Sequence, residues 1–338
     1  MGTLVRAGVL ANYFKVAQQL AFDPQSLLKK LGLSKVMLAD PEHRISASAG
    51  VTLLEESARL TQCPTFGLRM AELRQIYDFG VISLLLTHQR TLRDAVETLI
   101  QYQHLMNESL VIRIENAGKR VIVRDEVVAE GAAPSIQSTE LALGTLSRLG
   151  GALLGAAWRP YSVNFTHDAP PDLRLHHRVF KGKLEFGSSL NGVVCRATDL
   201  DLPNPIADPA MARHAQRLLE GLPRANEPSV VLEVRKAIYL MLPIGRATIE
   251  QVAQARGMSV RSLQRQLDSA GKVFSDMVND VRRDLVIHYL DNSSYSLGRI
   301  AELLGYSAYG SFVRWFVAQF GAPPLRWRSG QRERVGHP

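Results

Sequence analysis

Cysteine is scarce in this chain: Cys63 and Cys195 are the only two in 338 residues, and they lie 132 positions apart. This excludes a disulfide scaffold and gives no metal-finger spacing, so both are expected as reduced, structural thiols. Long apolar runs are also missing. Residues 81–86 are too few to cross a bilayer, and residues 141–158, rich in Leu, Ala and Gly, are interrupted by Arg148 and are expected as a buried helix. The N-terminus lacks a charged segment followed by an apolar stretch and a small-residue cleavage site, so no membrane association and a cytoplasmic location are expected. Chemistry-bearing patterns are equally sparse. His176-His177 has no partners at ligand spacing, and His167-Asp168 has no serine or cysteine in a nucleophile setting. Gly150-Gly151 lies inside the apolar helix instead of between a strand and a helix, where a phosphate loop would sit. No metal, no cofactor and no enzymatic activity are therefore expected.

What is present begins with an uneven charge. The formal net charge is +8, and residues 228–338 hold 15 Lys and Arg against 9 Asp and Glu, a surplus of 6, whereas the first 227 residues hold 25 against 23. A basic C-terminal part suits phosphate neutralisation, and a nearly neutral N-terminal part suits sensing or dimerisation. The length exceeds one ordinary core, so two domains are expected: 1–221, a linker at 222–229 broken by Pro223 and Pro228, 230–330, and a tail at 331–338.

The C-terminal part repeats one plan. Thr248 with Gln251 three residues on forms a capping box, Ile249, Val252 and Ala253 give one apolar face, Gly257 suits a left-handed turn, and Ser259 can cap a second helix. This places one helix-turn-helix unit at about 248–267. A second at about 296–319 uses Ser296, Ile300, Ala301, Leu304, Gly305, Tyr306 and Ser307, then Ser311, Phe312, Val313, Arg314, Trp315 and Phe316. Counted from the turn glycines, Leu263 and Leu267 precede the positions of Phe312 and Phe316 by one, so the second copy has one extra residue and Arg265 matches Arg314. Phe274, Val278, Val281 and Leu285 mark one stripe of a joining helix over 274–292, roughly 27 Å long and near the 34 Å repeat of a DNA turn. Gly321 is a natural cap, and Pro323-Pro324 is expected to stop the last helix.

Through Arg261-Ser262-Leu263-Gln264-Arg265-Gln266-Leu267, Leu304-Gly305-Tyr306-Ser307, Phe312-Val313-Arg314-Trp315-Phe316 and Phe320-Gly321-Ala322-Pro323-Pro324, residues 230–328 resemble the DNA-binding domain of the AraC/XylS family of bacterial transcription regulators. With Leu263 and Leu267 turned to the core, Arg261, Gln264 and Arg265 project outward; Arg suits guanine and Gln suits adenine, and the resemblance implies base contacts at these positions. In the second unit Tyr309, Gly310, Val313 and Arg314 are the outward positions, with Tyr309, Val313 and Arg314 as candidate base contacts and Arg314 the one bidentate reader. Ser259, Ser307, Ser311, Arg326 and Arg328 are candidate phosphate contacts, and Arg332 and Arg334 continue a basic tail. The first unit is expected to specify more sequence than the second. Trp315, Phe316 and Phe320 are expected in the core, since their spacing is helical.

The N-terminal part begins with amphipathic stretches at 5–20, 49–60 and 91–106, followed by a hairpin of 110–115 and 120–125, a long helix at 135–157, and strands at 161–166, 183–186 and 192–196, with a short helix after Pro170-Pro171. This alternation implies an α+β or α/β domain, ahead of an all-α C-terminal domain. Phe79-Gly80-Val81-Ile82, the run from Pro160 to Phe165 with His167 and Pro170, and the run from Phe180 to Phe186 resemble the N-terminal domain of a branch of the same family that includes ornithine-utilisation regulators. That domain is termed arabinose-binding-like, a label that identifies no ligand. Tyr77, Arg93, His104 and Trp158 are pocket candidates, and no effector-binding residue is assigned. The resemblance implies an activator that binds double-stranded promoter DNA, contacts RNA polymerase and dimerises through its N-terminal domain under a small-molecule effector. The alternative is a constitutive dimeric regulator controlled by abundance or by a protein partner.

Overall fold

The computed structural model describes residues 3–129, 135–221, 229–291 and 295–335, with the side chains of 288, 291 and 330–335 outside the description. It divides into two compact units, Met1–Asn226 and Glu227–Pro338. Most of the expected linker, residues 222–228, lies outside the described residues, as do residues 336–338 of the expected tail and the side chains of Arg332 and Arg334.

The first unit opens with β1 (Leu4–Arg6), paired antiparallel with β2 (Arg44–Ser46), and the short helices α1 (Tyr13–Gln19), α2 (Gln25–Lys30) and α3 (Lys35–Ala39) lie between them in sequence. This corrects the expectation of one amphipathic stretch over 5–20. The amides of Ala7 and Gly8 donate to His43 O at 2.7 Å and Pro41 O at 2.9 Å, so the backbone there pairs with a distant segment, and α1 begins only after Asn12 at φ 72. Next come α4 (Ala47–Leu60), α5 (Phe66–Glu72), α6 (Ser83–Thr87) and α7 (Leu92–Met106), the last started by Thr91 Oγ1 accepting from Asp94 N at 3.1 Å.

The hairpin β3 (Leu110–Ala117) and β4 (Arg120–Val127) is tighter than expected, because Ala117 pairs with Arg120 and only Gly118 and Lys119 form the turn. Gly118 takes φ 66, which a two-residue hairpin turn requires of one of its central residues. After α8 (Ile136–Leu154) come β5 (Ser162–Asn164), α9 (Arg174–Val179), β6 (Lys183–Glu185), β7 (Gly192–Arg196), α10 (Ala197–Leu200) and α11 (Pro209–Glu220). Among the described residues the sheet order is β3-β4-β7-β5-β6, with β5 and β6 parallel and the other pairs antiparallel. Predominantly antiparallel pairing makes this unit α+β. Two glycines bring α5 and α8 together: a Cβ on Gly67 would stand 2.1 Å from Gln137 O, and one on Gly144 would stand 2.5 Å from Ala71 Cβ. Cys63 and Cys195 are free and buried.

Among the described residues the second unit is all helical: α12 (Val230–Met241), α13 (Ile249–Ala255), α14 (Val260–Ser269), α15 (Phe274–Asp291), α16 (Leu297–Leu303), α17 (Tyr309–Phe320) and α18 (Pro324–Val335). Leu263 and Leu267 of α14, Val281 and Leu285 of α15, and Phe312 and Phe316 of α17 share one core. An ion pair between Arg235 and Asp284 ties α12 to α15. The capping box at Thr248 is half made. Its Oγ1 accepts from Gln251 N at 3.4 Å, but Gln251 Oε1 is buried with no partner.

The C-terminal end needs a larger correction. The residues assigned to a basic tail form α18, which starts at Pro324 and runs past residue 330. A proline at the first position of a helix lacks only a donor that is unpaired there anyway, so Pro324 initiates as well as interrupts. Trp327 then anchors the helix, its ring 5.3 Å from Phe320 and 6.2 Å from Phe316.

Candidate functional site

In the first helix-turn-helix unit, α13 and α14 meet at Gly257, φ 64, and Ser259 Oγ caps α14 by accepting from Ser262 N at 3.2 Å. Leu263 and Leu267 are buried, which leaves Arg261, Gln264 and Arg265 exposed on the opposite face. Exposed guanidinium and amide groups on one helix face are what reading base edges needs.

In the second unit, α16 and α17 meet at Gly305, φ 75. The residue capping α17 is Ala308, which offers no side-chain acceptor, so Ser307 does not repeat the role of Ser259. Cap to core, the two helices have the same register: Leu263 and Leu267 follow Ser259 by the same steps as Phe312 and Phe316 follow Ala308. The additional residue therefore sits in the turn, and Arg261, Gln264 and Arg265 correspond to Gly310, Val313 and Arg314.

Arg314 is exposed, and its Nη2 donates to Ser311 Oγ at 3.1 Å. Tyr309 is exposed with its ring 6.0 Å from Phe312. Val313 departs from the expected outward position. It is half-buried and packs against the core, because α17 carries a wider apolar arc than α14. Trp315 is held in place by its indole N–H, which donates to Asn279 Oδ1 at 3.1 Å, and Trp315, Phe316 and Phe320 form a continuous aromatic cluster with Phe312. Arg326 is exposed, whereas Arg328 is half-buried in α18. Beneath the second unit, Arg282 of α15 donates to Leu304 O at 3.0 Å and lies 4.3 Å from the centre of the Tyr306 ring, and burial pushes its pKa down.

The first unit contains a cavity of about 120 Å³ between β1, α4, α7, β3, β4 and α8. Its wall is mainly apolar, with Leu54, Leu99, Ile112, Leu141 and Leu146 among its residues. Arg6, Arg74, Asp78 and Asp125 are its charged residues. Arg6 pairs with Glu42, and Arg74 donates to the carbonyls of Gly8 and Val9, both at 2.7 Å. Burial lowers Arg74 to about 10. Asp125 is 3% exposed and its Oδ1 has no partner; burial first, and the neighbouring Glu126 second, push its pKa up to about 8.

None of the four pocket candidates from the sequence lines this cavity. Tyr77 is exposed, Arg93 pairs with Asp201 at 2.6 Å, and the His104 ring stands 6.4 Å from that of Tyr102. Trp158 is buried against Gly150, where a Cβ would come within 2.5 Å of the indole, so that glycine serves close packing. A second buried polar group is not legible in the sequence. His176 Nε2 lies 2.7 Å and His167 Nε2 3.6 Å from the same Oε1 of Glu140, inside a shell of Phe165, Phe180 and Phe186.

Two helix-turn-helix units on a basic chain, with Arg261, Gln264 and Arg265 exposed on one second helix and Arg314 exposed on the other, define a DNA-binding protein. Comparison with known families assigns it further. Residues 22–204 match the arabinose-binding domain of AraC transcription regulator, N-terminal, and residues 252–330 match a helix-turn-helix domain. The chain belongs to the AraC family of transcription regulators, and is a DNA-binding regulator of transcription, not an enzyme. It is 26% identical over 331 residues to the HTH-type transcriptional regulator VirS of Mycobacterium tuberculosis, covering 97% of each chain. It is 24% identical over 306 residues to the Ornithine utilization regulator of Pseudomonas aeruginosa, covering 90% of each. The crystal structure of the transcriptional regulator CdpR from Pseudomonas aeruginosa aligns over 94% of this chain and 96% of that one, at 17% identity and a TM-score of 0.46. No described helix is long and apolar enough to cross a membrane.

Proposed function

We propose that the chain is an effector-controlled transcription activator acting as a cytoplasmic homodimer. Its first unit binds a small molecule and dimerises, and its second unit binds promoter DNA and contacts RNA polymerase. The observation that carries effector control is the apolar cavity with the unpartnered Asp125 oxygen in its wall, a concave site with one polar anchor. Activation, dimerisation and polymerase contact follow from the family. Control requires the effector to bind one arrangement of the protein more tightly than another. A gel-shift and footprint series on the target promoter, with and without candidate metabolites, tests it. An affinity and footprint unchanged by every compound would favour a constitutive regulator controlled by abundance.

On DNA, Arg261, Gln264 and Arg265 read base edges, Arg314 reads a base in the second site, and Tyr309 makes a lesser base contact. Ser259, Ser307, Ser311, Arg326 and Arg328 contact phosphates. The exposure of Arg261, Gln264 and Arg265 opposite the buried leucines, against one exposed charged reader in α17, supports the view that the first unit specifies more sequence. Arg265→Ala should cost about 1–3 kcal/mol of discrimination at one base position, and Val313→Ala less, on a panel of single-base operator variants. Equal losses from the two substitutions would refute the asymmetry.

A further inference from the structure

Resting on the reading of the cavity as an effector pocket, we propose that its ligand is a small, uncharged, mainly apolar molecule whose one hydrogen-bonding oxygen seats on the Asp125 carboxyl. The polar groups of the wall are mostly engaged already. Arg6 is held by Glu42, two guanidinium nitrogens of Arg74 by the Gly8 and Val9 carbonyls, and Asp78 Oδ2 by the Gln75 amide at 2.9 Å. Thr145 Oγ1 donates to Leu141 O at 2.7 Å, and Ser138 Oγ accepts from Ser135 Oγ at 3.0 Å. Asp125 Oδ1 is left without a partner, and a buried polar atom in that state is costly until something completes it.

The charge of the ligand follows from the count of free groups. An ammonium carries three donors, and the buried atoms of the wall offer one unengaged carboxylate oxygen to receive them. An anionic head would share the cavity with Asp125 and find a single unengaged buried guanidinium nitrogen, Arg74 Nε. A carbonyl needs only one donor. Burial holds the Asp125 carboxyl protonated near neutral pH, so it can supply that O–H. The charged groups facing it are Arg6, Arg74 and Asp78 across the cavity and Glu126 beside it in β4. Size follows from volume: an apolar cavity of about 150 Å³ holds benzene, so the smaller volume of about 120 Å³ suits a body of roughly five to six heavy atoms.

The test uses the full chain and four molecules of like size: cyclopentanone, cyclopentylamine, cyclopropanecarboxylate and methylcyclopentane, with binding read by ligand-detected NMR at about pH 6.5 and about pH 9, either side of the raised carboxyl. Cyclopentanone should bind roughly tenfold more tightly than the other three at the lower pH and lose that advantage at the higher one, since one hydrogen bond in a dry site is worth about that factor. Asp125→Leu should reduce cyclopentanone to the level of methylcyclopentane, while Asp125→Asn, which keeps a donor, should retain binding and abolish its pH dependence. Preference for the amine or the carboxylate overturns the uncharged ligand but leaves the effector pocket standing, as does ketone binding unaffected by Asp125→Leu in a variant with native circular dichroism. Absence of binding by all four overturns both readings.

Discussion

Replacing Asp125 by asparagine should stabilise the first unit, and by an amount that depends on pH. The carboxyl titrates near 3.8 when exposed and is pushed up to about 8 in the folded chain, where burial disfavours its charged form. At pH 7 the unfolded chain has released this proton and the folded chain retains it. Folding must take the proton up against about three pH units, which at about 1.4 kcal/mol per unit costs on the order of 4 kcal/mol. At pH 5 the same difference is about one unit, or roughly 1.6 kcal/mol. A group whose folded pKa is raised in this way makes stability fall as pH rises from about 4 to about 8. Asparagine keeps the shape without the proton, so the advantage of Asp125→Asn should grow by about 2–3 kcal/mol between pH 5 and pH 7 and level off above pH 8. Trp158 lies in this unit and the other two tryptophans, Trp315 and Trp327, lie in the second. Urea unfolding followed by fluorescence in a Trp315→Phe, Trp327→Phe background therefore reports the first unit alone. If the stability gained by Asp125→Asn over the parent chain were constant from about pH 5 to about pH 8, the burial argument would be refuted.

Other outcomes follow from the packing. Leu267→Ala removes a side chain 1% exposed in the core of the second unit and should cost about 2–5 kcal/mol in urea denaturation. Gly67→Ala would put a Cβ 2.1 Å from the backbone oxygen of Gln137, so α5 and α8 must separate; a lowered melting temperature for the first unit is expected, and an unchanged one would show that the crossing can yield. Promoter affinity should fall steeply with salt, log K against log salt having a slope of about −0.9 per phosphate neutralised, and Arg326→Ala should flatten that slope by about one without altering base preference.

The second unit is largely readable because its signals are local. Thr248, Ser259 and Ser296 each cap the helix that follows, and Gly257, Gly305 and Gly321 each take the positive φ that their positions imply. Where sequence pattern misleads, a contact distant along the chain decides the matter. α18 exists because Trp327 docks on Phe316 and Phe320, and β1 exists because residues 41–46 lie alongside it. In the first unit the hairpin and the long helix are visible, but the sheet order is not, since β7 pairs with β4 across an interval that holds α8, β5, α9 and β6. The cavity is built from six separate elements, and its key residue, Asp125, reads in sequence as the polar end of a strand. Likewise Glu140 and His176, 36 residues apart, share nothing in sequence that announces a buried pair.

The additional residue between α16 and α17 has a practical meaning for altering what the protein recognises. Because it lies in the turn and the distance from cap to core is unchanged, every outward position of α14 has a counterpart in α17 at the same angle around the helix. The exposed Gly310 can therefore be exchanged for arginine without rotating the helix, whereas Val313 packs against the core of Phe312 and Phe316 and is not free to become glutamine. The helix register sets which residues face outward, and at Gly310 that face can be altered without touching the turn or the core.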